Sequence, residues 1–180
     1  FDLFLFKHYC VKQQNQYDRF LTSGLIHGDW IHLFVNMFVF LSFGSVVERA
    51  YQQIFGETFG IINFLLLYIG ALVISDLATF FKHQNDPGYS SLGASGAVSA
   101  VVFASIIFEP WREILLFAIV PVPGIILGVL YLVFSAYMAR NSDANINHDA
   151  HFYGALFGVG FTLLLKPALT VDFLSKLGLF

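Results

Sequence analysis

Polar breaks divide the chain into five apolar runs, at about residues 30–47, 59–80, 92–108, 123–139 and 150–166. Each is about 17 to 22 residues long, in the lower half of what a helix needs to cross about 30 Å of hydrocarbon. Glu48-Arg49 closes the first run, and residues 51–57 read as a short turn. Lys82-His83-Gln84-Asn85-Asp86-Pro87-Gly88 ends the second, a strong loop signal, and Glu109-Pro110-Trp111-Arg112-Glu113 ends the third. A polar stretch at 140–149 follows the fourth, and its Asp149 stands where it would cap the last helix. Residues 114–122 are apolar, but a helix from there to Met138 would have to pass Pro121 and Pro123. An interfacial or re-entrant stretch is expected instead, with the crossing helix starting at about Pro123, because proline suits a first turn. Residues 1–29 mix Lys7, Lys12, Asp18 and Arg19 with aromatics and read as an outer segment lying in the interface. The pattern predicts an all-α, polytopic transmembrane bundle, a single membrane domain over residues 1–180.

Composition supports a membrane setting. Hydrophobic residues make up 57% of the chain and charged ones 12%, where a soluble domain carries about a quarter charged. The mean hydropathy is +0.73. The net charge of −3 argues against nucleic acid as a partner. Cys10 is the one cysteine, which excludes an intrachain disulfide and a cysteine-based metal site. Basic residues do not orient the bundle: Arg49, Arg112, Lys166 and Lys176 fall on one side, and Lys7, Lys12, Arg19, Lys82 and Arg140 on the other. The sequence starts at Phe1 rather than Met, without a basic segment and cleavage site, so a further span is expected upstream.

Alternating spans make the first, third and fifth runs parallel, so their N-terminal ends share one face. Those ends carry His32 and Asn36, then Gly93-Ala94-Ser95-Gly96, then His151. A nucleophile, a base and oxyanion donors are what acyl transfer needs. Ser95 would lie about 5 Å below the start of its run, within reach of water. A serine in a membrane helix commonly back-bonds to its own helix, and the stripe Gly93, Gly96, Ala97, Ala100, Ala104 also reads as packing by small residues. The two readings are compatible, since small residues let a base approach to about 3 Å. His151 precedes Gly154 and Gly158, a helix-packing pattern, and a neutral His151 is the natural base for Ser95. His32 and Asn36 share a helix face, as oxyanion donors or as a helix–helix hydrogen bond.

Weaker candidates surround these. His27 carries no specific signal. His148 and His151 are placed to share a metal in principle, but a site needs three or four ligands and neither Cys nor a zincin motif supplies them, so no metal or cofactor is expected. Asp149 is a conceivable third triad member, yet two residues from His151 it points elsewhere and capping is the better reading. Asp76 is expected to be solvated or paired with Lys82, a proton relay lacking a second acid.

These residues resemble the rhomboid intramembrane serine proteases. The likeness rests on His32-x-x-x-Asn36, on Gly93-Ala94-Ser95-Gly96 as the GxSG motif, and on Ala150-His151-x-x-Gly154, in the family's order and spacing over about residues 19–167. Glu48-Arg49 and Tyr17-Asp18-Arg19-Phe20 resemble the family's turn after that span and its outer loop. The resemblance implies a six-helix core whose first helix would precede Phe1, and a Ser–His dyad without an acid. Ser95 would be the nucleophile and His151 the general base, with His32, Asn36 and the Ser95 N–H lining the oxyanion hole. It also implies an outward-facing active side. One position departs: many bacterial members stack an aromatic, four residues after the serine, on the histidine, and here that residue is Ser99. Phe152, Tyr153 or a hydrogen bond to Ser99 are then the expected supports for His151.

The function expected is a serine endopeptidase of the bacterial plasma (inner) membrane, with transmembrane segments of other proteins as substrates and the lipid bilayer as surroundings. Such a segment must unwind to expose a peptide bond. The start of the fourth span and the loops at 82–91 and 140–149 are candidates for gating. A catalytically silent relative that binds membrane-protein clients in quality control is the alternative, against which the intact Ser95 and His151 speak. A small transporter would need buried charges along a path, and Asp76 alone fits.

Overall fold

The computed structural model describes residues 4–116, 119–141 and 146–180. All five apolar runs are helical: α3 (Trp30–Phe55), α4 (Glu57–His83), α5 (Ser95–Phe108), α6 (Gly124–Asn141) and α7 (His148–Leu165). Before them come β1 (Phe6–Lys7), α1 (His8–Gln14) and α2 (Arg19–Thr22), and after them α8 (Ala168–Lys176). Helices α3, α4 and α6 are long and apolar enough to cross a membrane, and α7 and α8 meet the same test only together, with a 117° bend between them. In α3, α4 and α6 no more than 22% of the most apolar window is buried, so most of their surface is left for lipid.

Helix α5 is built differently. Every residue from Gly96 to Ile107 except Val102 is buried. A helix apolar all round belongs inside protein, and one encased by α3, α4 and α7 has no need of bilayer length. Its 14 residues, about 21 Å, make it shorter than the α3 and α4 that it packs against. The main core gathers Ala97, Ala100, Val101 and Ala104 of α5 with Val47 and Tyr51 of α3 and Phe64, Leu67 and Ala71 of α4.

The contact between α5 and α7 is made by backbone. A Cβ added at Gly154 would fall on the Gly96 carbonyl, and one at Gly158 on the Ala100 carbonyl. At the far end, the buried hydroxyls of Tyr51 and Thr162 lie 2.8 Å apart, joining α3 to α7.

Residues 4–29 form a cap on α4. Phe6, Val11 and Phe20 pack on Val73, Leu77 and Phe80. Strand β1 pairs antiparallel with β2 (Ser90–Ser91), Phe6 opposite Ser91, and the Arg19 guanidinium donates to the Leu5 carbonyl at 2.5 Å. The cap thus holds the loop that leads into Gly93.

Several local expectations are corrected. Helix α3 does not stop at Glu48-Arg49 but continues to Phe55, and Gly56, at φ +82°, makes the whole joint to α4. The extra turns bury Tyr51 while Arg49 stays exposed and donates to the Ser45 carbonyl at 2.9 Å, so a charged pair does not force a helix end. The stretch expected to be non-helical before about Pro123 contains two strands, β3 (Glu113–Leu116) and β4 (Val120–Pro123), which pair antiparallel and so satisfy each other's backbone groups, and the helix starts at Gly124. The cap of α7 is Asn147, whose Oδ1 accepts from the Ala150 N–H at 3.0 Å, and Asp149 pairs with Lys82 at 3.0 Å. Asp76 is therefore neither solvated nor paired with Lys82; it is buried and accepts from Asn147 Nδ2 at 3.2 Å. Within the loop proposed for gating at 140–149, residues 142–145 lie outside the described residues.

Candidate active site

The N-terminal ends of α3, α5 and α7 meet. Gly93, at φ +102°, turns the chain into α5, a conformation that side chains rarely adopt, and Ser95 is the first residue of the helix. The N–H groups of a first helical turn have no partners within the helix, so they point as free donors past Ser95. His151 sits in the first turn of α7, fixed in depth by the Asn147 cap. Its Nε2 lies 2.8 Å from Ser95 Oγ. Both side chains are half-buried.

His32 and Asn36 border the same place. A Cβ on Gly93 would meet His32 Nε2 at 3.0 Å, so the His32 ring rests against the glycine of the GxSG loop. The ring is oriented by the Gly28 N–H, 3.5 Å from Nδ1, and stands edge-on to His27 with centroids 5.0 Å apart. Partial burial, and His32 beside it, hold His27 below its ordinary value. Asn36 is buried and donates one amide N–H to the His32 carbonyl at 2.9 Å. An amide has two such hydrogens, and Asn36 lines the same cavity as Ser95 and His151.

That cavity measures about 260 Å³ and lies between α3, α5 and α6. Val35 and Val39, Val98 and Phe103, Leu127 and Gly128 make it apolar, with Ser95, His151 and Asn36 at its polar end. A second, much smaller space of about 10 Å³ lies behind Ser95, beside Ser75, Asp76 and Asn147.

The support of His151 differs from expectation. Phe152 and Tyr153 turn to each other, centroids 5.4 Å apart. The ring facing His151 is Tyr131 of α6, tilted 26° from its plane with centroids 6.2 Å apart. Ser99 does not reach the imidazole; its hydroxyl lies 2.8 Å from that of Tyr131. On another side His148 stands edge-on at 5.9 Å. Asp149 is engaged with Lys82 and is not a third triad member. Among the described residues, no three His, Cys, Asp or Glu side chains converge as metal ligands do.

Sequence reasoning missed Tyr131, Asn147 and the burial of Asp76. A signal for Tyr131 existed. Gly124, Gly128 and Ser135 are the buried residues of α6, and Tyr131 falls among them at heptad-like spacing, on the helix face turned to the bundle.

The profile of the rhomboid domain matches residues 14–168. The chain belongs to the rhomboid family. Among its relatives, rhomboid-like protein 11, chloroplastic, from Arabidopsis thaliana is 30% identical over 172 residues, 86% of this chain and 55% of that protein. RHOMBOID-like protein 12, mitochondrial, from the same plant is 28% identical over 145 residues, 75% of this chain and 42% of that protein. Rhomboid protease GlpG from Haemophilus influenzae is 29% identical over 103 residues, 56% of this chain and 47% of that protein. The chain thus spans about half the length of these curated relatives. Family and apolar helices together make it an integral, multi-pass membrane protein.

Proposed function

We propose that this rhomboid-family protein is an intramembrane serine endopeptidase. The observation that carries the reading is the 2.8 Å approach of His151 Nε2 to Ser95 Oγ at the polar end of an apolar cavity. A relative named as a rhomboid protease adds to it. Ser95 Oγ attacks the scissile carbonyl as its proton passes to neutral His151, and the imidazolium returns that proton to the leaving amine. Water then hydrolyses the acyl-enzyme with His151 again as base. The tetrahedral oxyanion accepts from the Ser95 N–H, from the second N–H of Asn36 and from His32.

The substrate is a membrane protein whose transmembrane segment unwinds locally, because helical hydrogen bonds otherwise shield the carbonyl. The cavity between α3 and α6 is its route to Ser95. A bacterial inner membrane is part of this reading on the strength of relatives in two bacteria, beside others named for mitochondria and chloroplasts.

Labelling by a fluorescent fluorophosphonate in detergent micelles tests it. The wild type should react, while Ser95→Ala should not and His151→Ala should react slower by several orders of magnitude, as loss of a nucleophile or base does elsewhere. A folded wild type that does not react overturns the protease reading. Retained binding of membrane-protein clients would then favour the silent adaptor.

A further inference from the structure

Helix α6 is lightly held: 17% of its apolar window is buried, and the cavity separates much of it from α5. Yet it supplies the ring that faces His151, and the hydroxyl of that ring reaches Ser99, one turn below Ser95. Tyr131 thus faces the base on one side and is tied to the helix of the nucleophile on the other. An imidazole half-exposed at a cavity wall has rotational freedom about its side-chain bonds, and only one orientation points Nε2 at Ser95. A flat neighbour, itself fixed by a hydrogen bond, restricts that freedom, and near-parallel rings attract beyond their contact area.

We infer that Tyr131 is the positioning residue of the base, and that its hydrogen bond to Ser99 makes alignment of Ser95 and His151 depend on α6 being docked. The ring and its hydroxyl partner lie on two different helices, so the packing of α6 against α5 fixes where the flat face stands beside His151. The inference rests on the protease reading above.

The test uses the whole chain in micelles and a small fluorophosphonate, whose reaction reports activation of Ser95 rather than filling of the cavity. Tyr131→Phe keeps the ring and should lower the labelling rate about threefold. Tyr131→Leu, similar in bulk but not flat, should lower it about thirtyfold. Ser99→Ala should match Tyr131→Phe, and the double variant should be no slower than either single one, because both remove the same hydrogen bond. Thermal unfolding separates positioning from folding: each variant should melt within a few degrees of the wild type. If Tyr131→Leu labels as fast as Tyr131→Phe, the ring merely fills space and the inference fails. If the two single effects add in the double variant, the coupling to Ser99 fails. A wild type that does not label removes the protease reading itself, and with it this inference. A wild type that labels, with indifferent Tyr131 variants, removes the inference alone.

Discussion

On one side of α5, Gly96 and Ala100 meet Gly154 and Gly158 of α7 backbone to backbone; on the other, Val98 and Phe103 face a cavity of about 260 Å³ before α6 begins. The same short helix is closed along one face and open along the other. The closed face fixes the depth and spacing of the two backbones that carry Ser95 and His151, which a 2.8 Å approach of side chains requires. The open face leaves volume that no described residue fills, and on the proposed protease reading this is where a substrate comes to Ser95 without disturbing the contact between α5 and α7. Rigidity and access are divided between two sides of one element, and residue size decides which side is which.

The largest expected effect is on the closed face. Gly158→Leu drives a branched side chain into the Ala100 carbonyl, two turns away from His151. Fluorophosphonate labelling should fall at least about a hundredfold and the bundle should melt earlier. Gly160→Leu is the control, since a Cβ there meets nothing within 4 Å and labelling should persist. If both variants behave alike, the seam is not what aligns the pair.

On the open face, Gly128→Leu adds bulk to a wall where a Cβ already meets Ile106 Cδ1 at 3.0 Å. Cleavage of a transmembrane substrate should drop about tenfold, while the small fluorophosphonate should react nearly as before. Equal losses with both reagents would show that the cavity is not the substrate's route.

A smaller effect is expected where α7 begins. Asn147 accepts from Thr79 Oγ1 at 2.8 Å and from the Ala150 N–H, and donates to buried Asp76. Asn147→Ala uncaps the helix and orphans two buried groups, a loss of about 1–3 kcal/mol. Calorimetry or a thermal scan should show a melting point lower by several degrees with labelling slowed a few-fold. An unchanged melting point would mean that the seam alone sets the depth of His151.

The smallest effect lies outside the membrane, in the cap. His8 is buried beside Tyr89, and burial first, then His83, pushes it from 6.5 down to about 3. Below pH 6.5 the undocked segment binds a proton that the docked one does not, so docking weakens as pH falls from there towards 3. Hydrogen exchange of residues 8–14, corrected for intrinsic rates, should quicken between about pH 7.5 and about pH 5. His8→Asn should abolish the difference, and an equal response in both proteins would assign it elsewhere.

Much of the site could be read from residue types and spacing. The parallel first, third and fifth runs bring His32, Ser95 and His151 to one end because membrane helices alternate, and the small residues around Ser95 and after His151 do become the helix seam. What could not be read were features that depend on which faces meet. Tyr131 and Ser99 are 32 residues apart and touch because of how α6 leans on α5. Asp149 looked like the cap and Asn147 is one, a choice made by Asp76 and Thr79 waiting on α4.

Periodicity, low charge and glycine placement by themselves determined that this chain is a helical membrane bundle and that His32, Ser95 and His151 share one end of it, because the bilayer forces backbone groups to pair within helices and leaves few folds open. Only the tertiary structure decided which side of α5 is closed, which residue caps α7 and which ring faces His151. Those outcomes follow from side-chain volumes and hydrogen bonds between helices distant in sequence; spacing puts Tyr131 on the bundle face of α6, but not beside His151.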